Sequence, residues 1–529
     1  MELMKAPAFG LQRVSDRLGA WNFYFAAKLA LYALGLIDFH LWENLAFAAA
    51  LFAMAVPRAR PLRPFLGVPV AIALLYYDSR LPGVARVLSQ ASLVSTFSAS
   101  YLAELAARFF SWKVIAVIVL AVVALALARR FVRLDVFLVA AMVAMALWFS
   151  PPEAVPYEPA AKAGAAKAAS TASQGPEAAL AEFFRTEAER KVAFTRPAAA
   201  SANFDVVFLH VCSLSWDDLE VAGLAKHPLF ASFDIVLTRF NSVSTYSGPA
   251  AIRFLRAPCG QPRHPALYTP AKAQCLLMPG LQEAGLESQL ALNHDGHFDD
   301  FLTHVRAQGV QAAPVPLKGL AAPQHAFDGS RIYDDGAVLG RWLEARASSP
   351  APRAALYYNT LSLHDGNRLE GKPDVKSSDT YKARLAKLLD DIQKFVDEIG
   401  ASGRRAVVVL IPEHGAALRG DSAQIAGLRE IPTPAITLVP VGIRVVGPDA
   451  QRNGDPVRID EPTSFLAVSQ IVAAMLAKSP FGADGFRAAD FTAGLPTTPF
   501  VAEGENMTVM RSGNGYVIRD ERGAWKELR

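Results

Sequence analysis

FDVVFLHVCSLSWDDL, residues 204–219, is an apolar, β-branched run that ends on a cysteine, and the chain repeats that pattern. LYYNTLSLHDG (356–366) carries His364 just past its run, VVVLIPEHGAAL (407–418) carries Glu413-His414, and Tyr246-Ser247-Gly248-Pro249 follows another run after a short polar loop. The C-terminal strand ends of an open α/β sheet share one rim, so residues far apart in sequence can meet there in one polar site. Strand patterns at 204–211, 233–238, 287–292, 354–360, 405–411 and 435–439 alternate with helical stretches such as 381–399 and 464–476. This alternation predicts an α/β domain with a mostly parallel, helix-flanked sheet. Near the end, MTVMRSGNGYVIR (507–519) carries a hairpin signal at Gly513-Asn514-Gly515.

With 529 residues, 52% of them hydrophobic, the chain is too long for one ordinary domain and too apolar for a purely soluble one. The apolar content concentrates in segments at about 18–37, 41–56, 64–77, 112–128 and 134–149. Several fall short of the ~20 residues that cross a hydrocarbon core, so four or five spans is the range. Arg58, Arg60 and Arg63 separate the second segment from the third, and Arg129, Arg130 and Arg133 the fourth from the fifth. Five spans place both clusters, and the N-terminal Lys5, Arg13 and Arg17, in the cytoplasm and everything after residue 149 on the far side. No basic region followed by a single apolar stretch and a small-residue cleavage site marks a signal peptide.

The expected organisation is therefore a transmembrane anchor over 1–150, a linker and lead-in helix over 151–197, and a far-side globular domain over 198–529. Residues 92–110 have helical spacing that suits either the outer membrane interface or packing among the other helices. The linker is rich in Ala, Pro, Gly, Ser and Lys up to about residue 175, and a charged amphipathic helix is expected over 176–192. Net charge is only +4, and no dense basic tract is interleaved with aromatics, which gives nucleic-acid binding no support. Of the three cysteines, Cys259 and Cys275 could close a small disulfide loop in an oxidising compartment, leaving Cys212 as the odd thiol.

Ser247 precedes Gly248-Pro249 and a helical segment, which poises its hydroxyl at a helix N-terminus, where unpaired N–H groups favour a phosphate. A neighbouring cation would activate that hydroxyl as a nucleophile, although serine is also a common plain cap. Cysteine, histidine and carboxylate at Cys212, Glu413 and His414 favour zinc over magnesium or calcium, which prefer oxygen shells. His364 could bind metal, transfer a proton or hold a phosphate oxygen, or serve a structural role. Asn293-His294-Asp295-Gly296-His297 reads as a solvated turn before it reads as a ligand cluster, and Arg429 could pair with phosphate through its guanidinium fork or lie in an exposed loop.

Taken together, VCSLSWDDLEVAGL (211–224), FNSVSTYSGPAAIRFLRAPCGQ (240–261), LALNHDG (290–296), LSLHDGN (361–367) and IPEHGAAL (411–418) resemble the alkaline-phosphatase-like phosphoethanolamine transferases, most closely their cellulose-modifying branch. The resemblance implies an alkaline-phosphatase-like α/β fold and transfer of phosphoethanolamine from phosphatidylethanolamine to hydroxyls of nascent cellulose, with release of diacylglycerol. It implies Ser247 as nucleophile, Cys212, Glu413 and His414 as ligands of one Zn2+, and Tyr246, His364 and Arg429 around them. It further implies a Cys259–Cys275 disulfide, an inner-membrane location with the catalytic domain in the periplasm, and cellulose synthase complex subunits as neighbours. The superfamily often holds two metals on aspartate and histidine; cysteine and glutamate at the matching places here leave a second zinc without support. Lipid A or another envelope glycan as acceptor, and a non-catalytic scaffold of a secretion complex, are the competing readings.

Overall fold

Both faces of the strand Asp205–Val211 (β1) are buried, which explains why its sequence lacks a polar phase. Val206 and Phe208 join one apolar cluster, and Val207 and Leu209 join another on the opposite face. The same alternation recurs in Ala354–Thr360 and Ala406–Pro412. A sheet covered on both sides thus positions everything that follows.

The computed structural model describes residues 17–34, 37–79, 97–109, 112–128, 134–148, 175–196, 203–421 and 423–528. They divide into two compact units: residues 1–95 with 103–153, and residues 96–102 with 154–529. The first unit contains the helices Trp21–Ala33 (α1), Leu41–Ala53 (α2), Leu62–Asp78 (α3), Trp112–Ala128 (α4) and Leu134–Trp148 (α5). They coincide with the five apolar segments, but among the described residues no helix is long and apolar enough to cross a membrane. Their core is not purely apolar: Lys28 pairs with Asp78, and Asn44 donates to Asp78 Oδ2 at 2.9 Å while accepting from Lys28 at 2.7 Å. Lys28, Asn44 and Asp78 thereby satisfy one another, as burial requires. The helix expected within 92–110 covers Ala99–Phe109; residues 92–96 and 110, the arginines at 129, 130 and 133, and the linker to 174 lie outside the described residues.

The second unit is built on a seven-stranded sheet. Its strands are β1, Ile235–Asn241 (β2), Glu287–Leu292 (β3), Ala354–Thr360 (β4), Ala406–Pro412 (β5), Leu438–Val446 (β6) and Val457–Ile459 (β7). Their spatial order is β7-β2-β6-β5-β1-β4-β3. All neighbours run parallel except β6, which is antiparallel to both β2 and β5, so the sheet is mixed. The expected strand at 435–439 is displaced. Pro434 opens a single helical turn, Pro434–Thr437, and the strand begins only at Leu438. Pro440, which has no N–H to donate, falls where the β2–β6 register shifts between Leu237 and Phe240. Gly442 is required beneath Phe233, whose ring lies 2.3 Å from where a Cβ would sit.

The lead-in helix spans Pro176–Glu189 and packs through Leu180, Phe183 and Phe184 onto Val501 and Met510. The C-terminal hairpin forms with Ser512 paired to Gly515 inside a four-stranded antiparallel sheet. Cys259 and Cys275 are disulfide-bonded, and Cys212 is the free, buried thiol.

Candidate active site

The register of the sheet assembles the site. Val211 of β1 is level with Thr360 of β4 and Pro412 of β5, so Cys212 and Glu413 leave neighbouring strands at the same height. The ladder continues one step beyond the strands, with Cys212 N donating to Thr360 O at 3.1 Å and Glu413 N to Val211 O at 2.8 Å. Ser213 then adopts a left-handed conformation, φ 61°, costly for a non-glycine residue. That turn brings Leu214 N to His414 O at 2.6 Å, tying the two rim loops together.

Ser247 is the first residue of the helix Ser247–Leu255, and the side chain of the preceding Tyr246 makes no capping hydrogen bond to its first turn. The N–H groups and dipole of that turn therefore remain available to an anion. Ser247 Oγ lies 3.3 Å from Cys212 Sγ. Cys212 Sγ is 3.9 Å from His414 Nε2, which is 3.7 Å from Glu413 Oε2. All three ligand atoms lie within 4.8 Å of one another. Ligands at zinc bond lengths in a tetrahedron stand about 3.3–3.8 Å apart, so these donors fit that ion with small adjustments.

The electrostatics point the same way. Burial pushes the Cys212 thiol up to about 12, helped by the negative Glu413. It lifts Glu413 to about 7 despite polar neighbours Ser247 and Asn359, and it holds His414 well below its ordinary value. Three groups that resist charge individually would be reconciled by one divalent cation among them. Glu413 Oε2 is buried without a well-formed hydrogen bond, an orphan acceptor aimed at the other two donors. His414 Nδ1 donates to Gly415 O at 2.9 Å, which leaves Nε2 with its lone pair toward the cluster.

Around this centre, Arg429 is buried rather than on an exposed loop. It donates to Ser213 Oγ at 3.3 Å, lies beside His414 at 3.2 Å and stands over the Tyr246 ring at 5.5 Å. Tyr246 donates to Glu430 at 2.5 Å. His364 donates through Nδ1 to Asp365 O at 2.7 Å, which leaves Nε2 as a base. Desolvation, with the positive Arg429 second, lowers His364 to about 4.

The NHDG stretch divides in two, which corrects its reading as a solvated turn. Asp295 and His297 are exposed, whereas Asn293 and His294 are buried. His294 Nε2 meets Asn359 Oδ1 at 2.9 Å, and Asn359 Nδ2 donates to Glu413 Oε1 at 2.6 Å. Asn359 carries no motif that sequence reasoning could have used. Asp218 did carry one: Ser215-x-x-Asp218 is a capping box, and the Asp218 carboxylate also accepts from Ala416 N at 2.7 Å, clamping the loop after His414. Tyr381 completes the support by donating to Ser213 O at 2.6 Å.

Comparison with known proteins gives this arrangement a family. The family model of the cellulose biosynthesis protein BcsG C-terminal domain matches residues 160–525, and that of the BcsG N-terminal domain matches residues 21–147. The chain is 39% identical to the cellulose biosynthesis protein BcsG of Escherichia coli strain K12, with 96% of each chain covered. It is 38% identical to the BcsG of Salmonella typhimurium strain LT2, again over 96% of each. Among solved structures, a Vibrio parahaemolyticus protein of the alkaline phosphatase superfamily matches at a TM-score of 0.45 and 15% identity, covering 68% of this chain and 92% of its own. Matched along almost its whole length by both domain models and both relatives, the chain belongs to the cellulose biosynthesis protein BcsG family.

Proposed function

We propose that the protein is a zinc-dependent phosphoethanolamine transferase that moves the group from phosphatidylethanolamine to hydroxyls of nascent cellulose. The observation that carries this reading is the convergence of Ser247 Oγ with the Cys212, Glu413 and His414 donors at one strand rim. Zinc bound by those three residues would supply a Lewis acid beside the serine oxygen.

Ser247 Oγ attacks the lipid phosphorus, a serine oxygen–phosphorus bond forms, the bond from phosphorus to the diacylglycerol oxygen breaks, and the serine proton ends on that departing oxygen. Arg429 and the first turn of the Ser247 helix hold the phosphoryl oxygens. A cellulose hydroxyl then attacks the same phosphorus and displaces Ser247. His364, neutral with a free Nε2, takes the proton of that hydroxyl.

In this reading residues 1–150 anchor the protein in the bacterial inner membrane, residues 151–197 tether it, and residues 198–529 act in the periplasm. Anchoring keeps the domain near a donor in the bilayer and an acceptor emerging beside it, where subunits of a cellulose synthase complex would be its neighbours. The family's place in cellulose biosynthesis supports cellulose over lipid A as the acceptor.

The test is to incubate the zinc-loaded full-length protein with phosphatidylethanolamine and no acceptor, then weigh the Ser247 peptide. Addition of one phosphoethanolamine is expected, lost in Ser247→Ala and after chelation. An unmodified serine alongside undiminished diacylglycerol release would rule out the covalent route.

A further inference from the structure

The turn His297–Asp300 joins two walls of the site. Phe298 sets its ring against His364, centroids 6.0 Å apart, and against Phe327 at 4.9 Å. The next residue, Asp299, projects to the other wall, where its Oδ2 stands 3.2 Å from the position a Cβ would take on Gly248, directly after the nucleophile. Asp299 and Asp300 both hold left-handed backbone, φ 52° and 49°. Asp299 is solvent-accessible, and among the described residues its carboxylate has no hydrogen bond or ion pair.

An acidic side chain is out of place beside a centre made for phosphate. Arg429, a helix N-terminus and a candidate cation draw the anionic phosphate in, and a carboxylate beside them repels it. The opposition has a use if the substrate is a zwitterion whose phosphate and cation lie a few bonds apart. Phe298, adjacent in the chain and partly exposed, offers an aromatic ring to the same cation.

Resting on the transferase reading above, we infer that Asp299, flanked by Phe298, binds the ammonium of the phosphoethanolamine group and so selects this headgroup over anionic phosphodiesters that lack an ammonium. Asp299 acts on specificity, and the phosphorus chemistry belongs to the residues around Ser247. Among the described residues, no other acidic side chain lies within 4 Å of a Cβ placed on Gly248.

The test uses zinc-loaded full-length protein and two nitrophenyl phosphodiesters with the same leaving group, one bearing ethanolamine and one bearing propanol. Asp299→Asn is suitable because asparagine also tolerates left-handed backbone. The expected result is a loss of about 10- to 100-fold in kcat/KM for the ethanolamine ester, mainly through KM, with the propanol ester unchanged. Asp299→Glu should restore part of the preference. Equal losses on both esters, or no loss on either, would overturn the assignment. Unaltered protein that cleaves both esters without preference would overturn it while leaving the transferase reading intact; cleavage of neither would remove both.

Discussion

Asn359 Nδ2 donates to Glu413 Oε1 at 2.6 Å, and this amide is itself fixed by His294 at 2.9 Å. One carboxylate oxygen is thereby held back and the other turned toward Cys212 and His414. Groups of this kind orient metal ligands, and their loss commonly costs 10–100-fold in affinity. Asn359→Leu is expected to weaken zinc binding by about that factor, and His294→Ala to act in the same direction less strongly. Competition against a chromogenic chelator measures both, and unchanged affinity in Asn359→Leu would leave the amide a packing residue.

Much of this site was legible in the sequence because its residues sit at the ends of apolar runs, and strand ends on a shared rim need no further information to be brought together. Cys212, Ser247 and Glu413-His414 were readable on that ground. Asn359 was hidden because it lies inside its run, at a position where only the register with His210 and Leu292 brings its amide to the rim. His294 misled for a related reason: the turn around Asp295-Gly296 looks solvated, and only the burial of its first two residues separates them from the rest. The strand at Leu438–Val446 was misplaced because proline at 434 and 440 and glycine at 442 disguise it, each tolerated through a local contact that sequence does not display.

His364 and Arg429 set the acid limit of the proposed reaction. A base must be unprotonated, so acceptor transfer should fall as pH drops through the His364 value of about 4 and stay level above it. Arg429 is the second cause of that low value. Arg429→Ala should therefore move the acid limb upward, toward the ordinary histidine value near 6.5, beside any loss of phosphate binding. A pH profile of kcat for the two proteins decides it; coincident acid limbs would show that another group takes the proton.

Asp335 is a stability switch away from the metal donors. It accepts from Tyr358 at 2.6 Å, from Ser362, and from Asn293 at 3.3 Å, yet burial raises it from 3.8 to about 6. The folded protein thus binds this proton more tightly than the unfolded chain. Its stabilisation is complete below about pH 4 and is lost as pH rises to about 6, on the order of 3 kcal/mol for a shift of about two units. Asp335→Asn cannot ionise, so the stability difference between unaltered protein and variant should shrink by that amount between pH 4 and 7. Denaturant titrations at each pH would give the difference, and parallel curves would exclude Asp335 as the source.

The Cys259–Cys275 bond closes a loop with a sequence separation of 16 residues. Constraint of the unfolded chain over such a loop contributes about 3 kcal/mol. Cys259→Ala/Cys275→Ala is expected to lower the melting temperature by a few degrees while leaving zinc affinity unchanged, because the free Cys212 stays in place. Calorimetry with a parallel zinc titration checks both halves; loss of zinc binding would mean that the loop supports the site.

Asp205 anchors the first residue of β1 and thereby the strand that delivers Cys212. Its carboxylate accepts from Arg346 Nη2 at 2.9 Å, from Arg404 Nε at 3.1 Å and from Ala354 N at 2.7 Å, with Arg346 itself wholly buried. Removing one member of a buried pair leaves the other charge unpaired, a loss of about 3–5 kcal/mol, whereas replacing both with apolar groups is often neutral. Asp205→Ala should therefore be far more destabilising than Asp205→Leu/Arg346→Met. The second substitution still forfeits the bond to Ala354 N, which spans the start of β4, so a residual deficit of about 1 kcal/mol is expected. A double-mutant cycle measured by denaturant unfolding gives the coupling directly. If the double variant were as unstable as Asp205→Ala, the unpaired Arg346 charge would not be the cause, and the backbone bond to Ala354 would be what fixes β1 against β4.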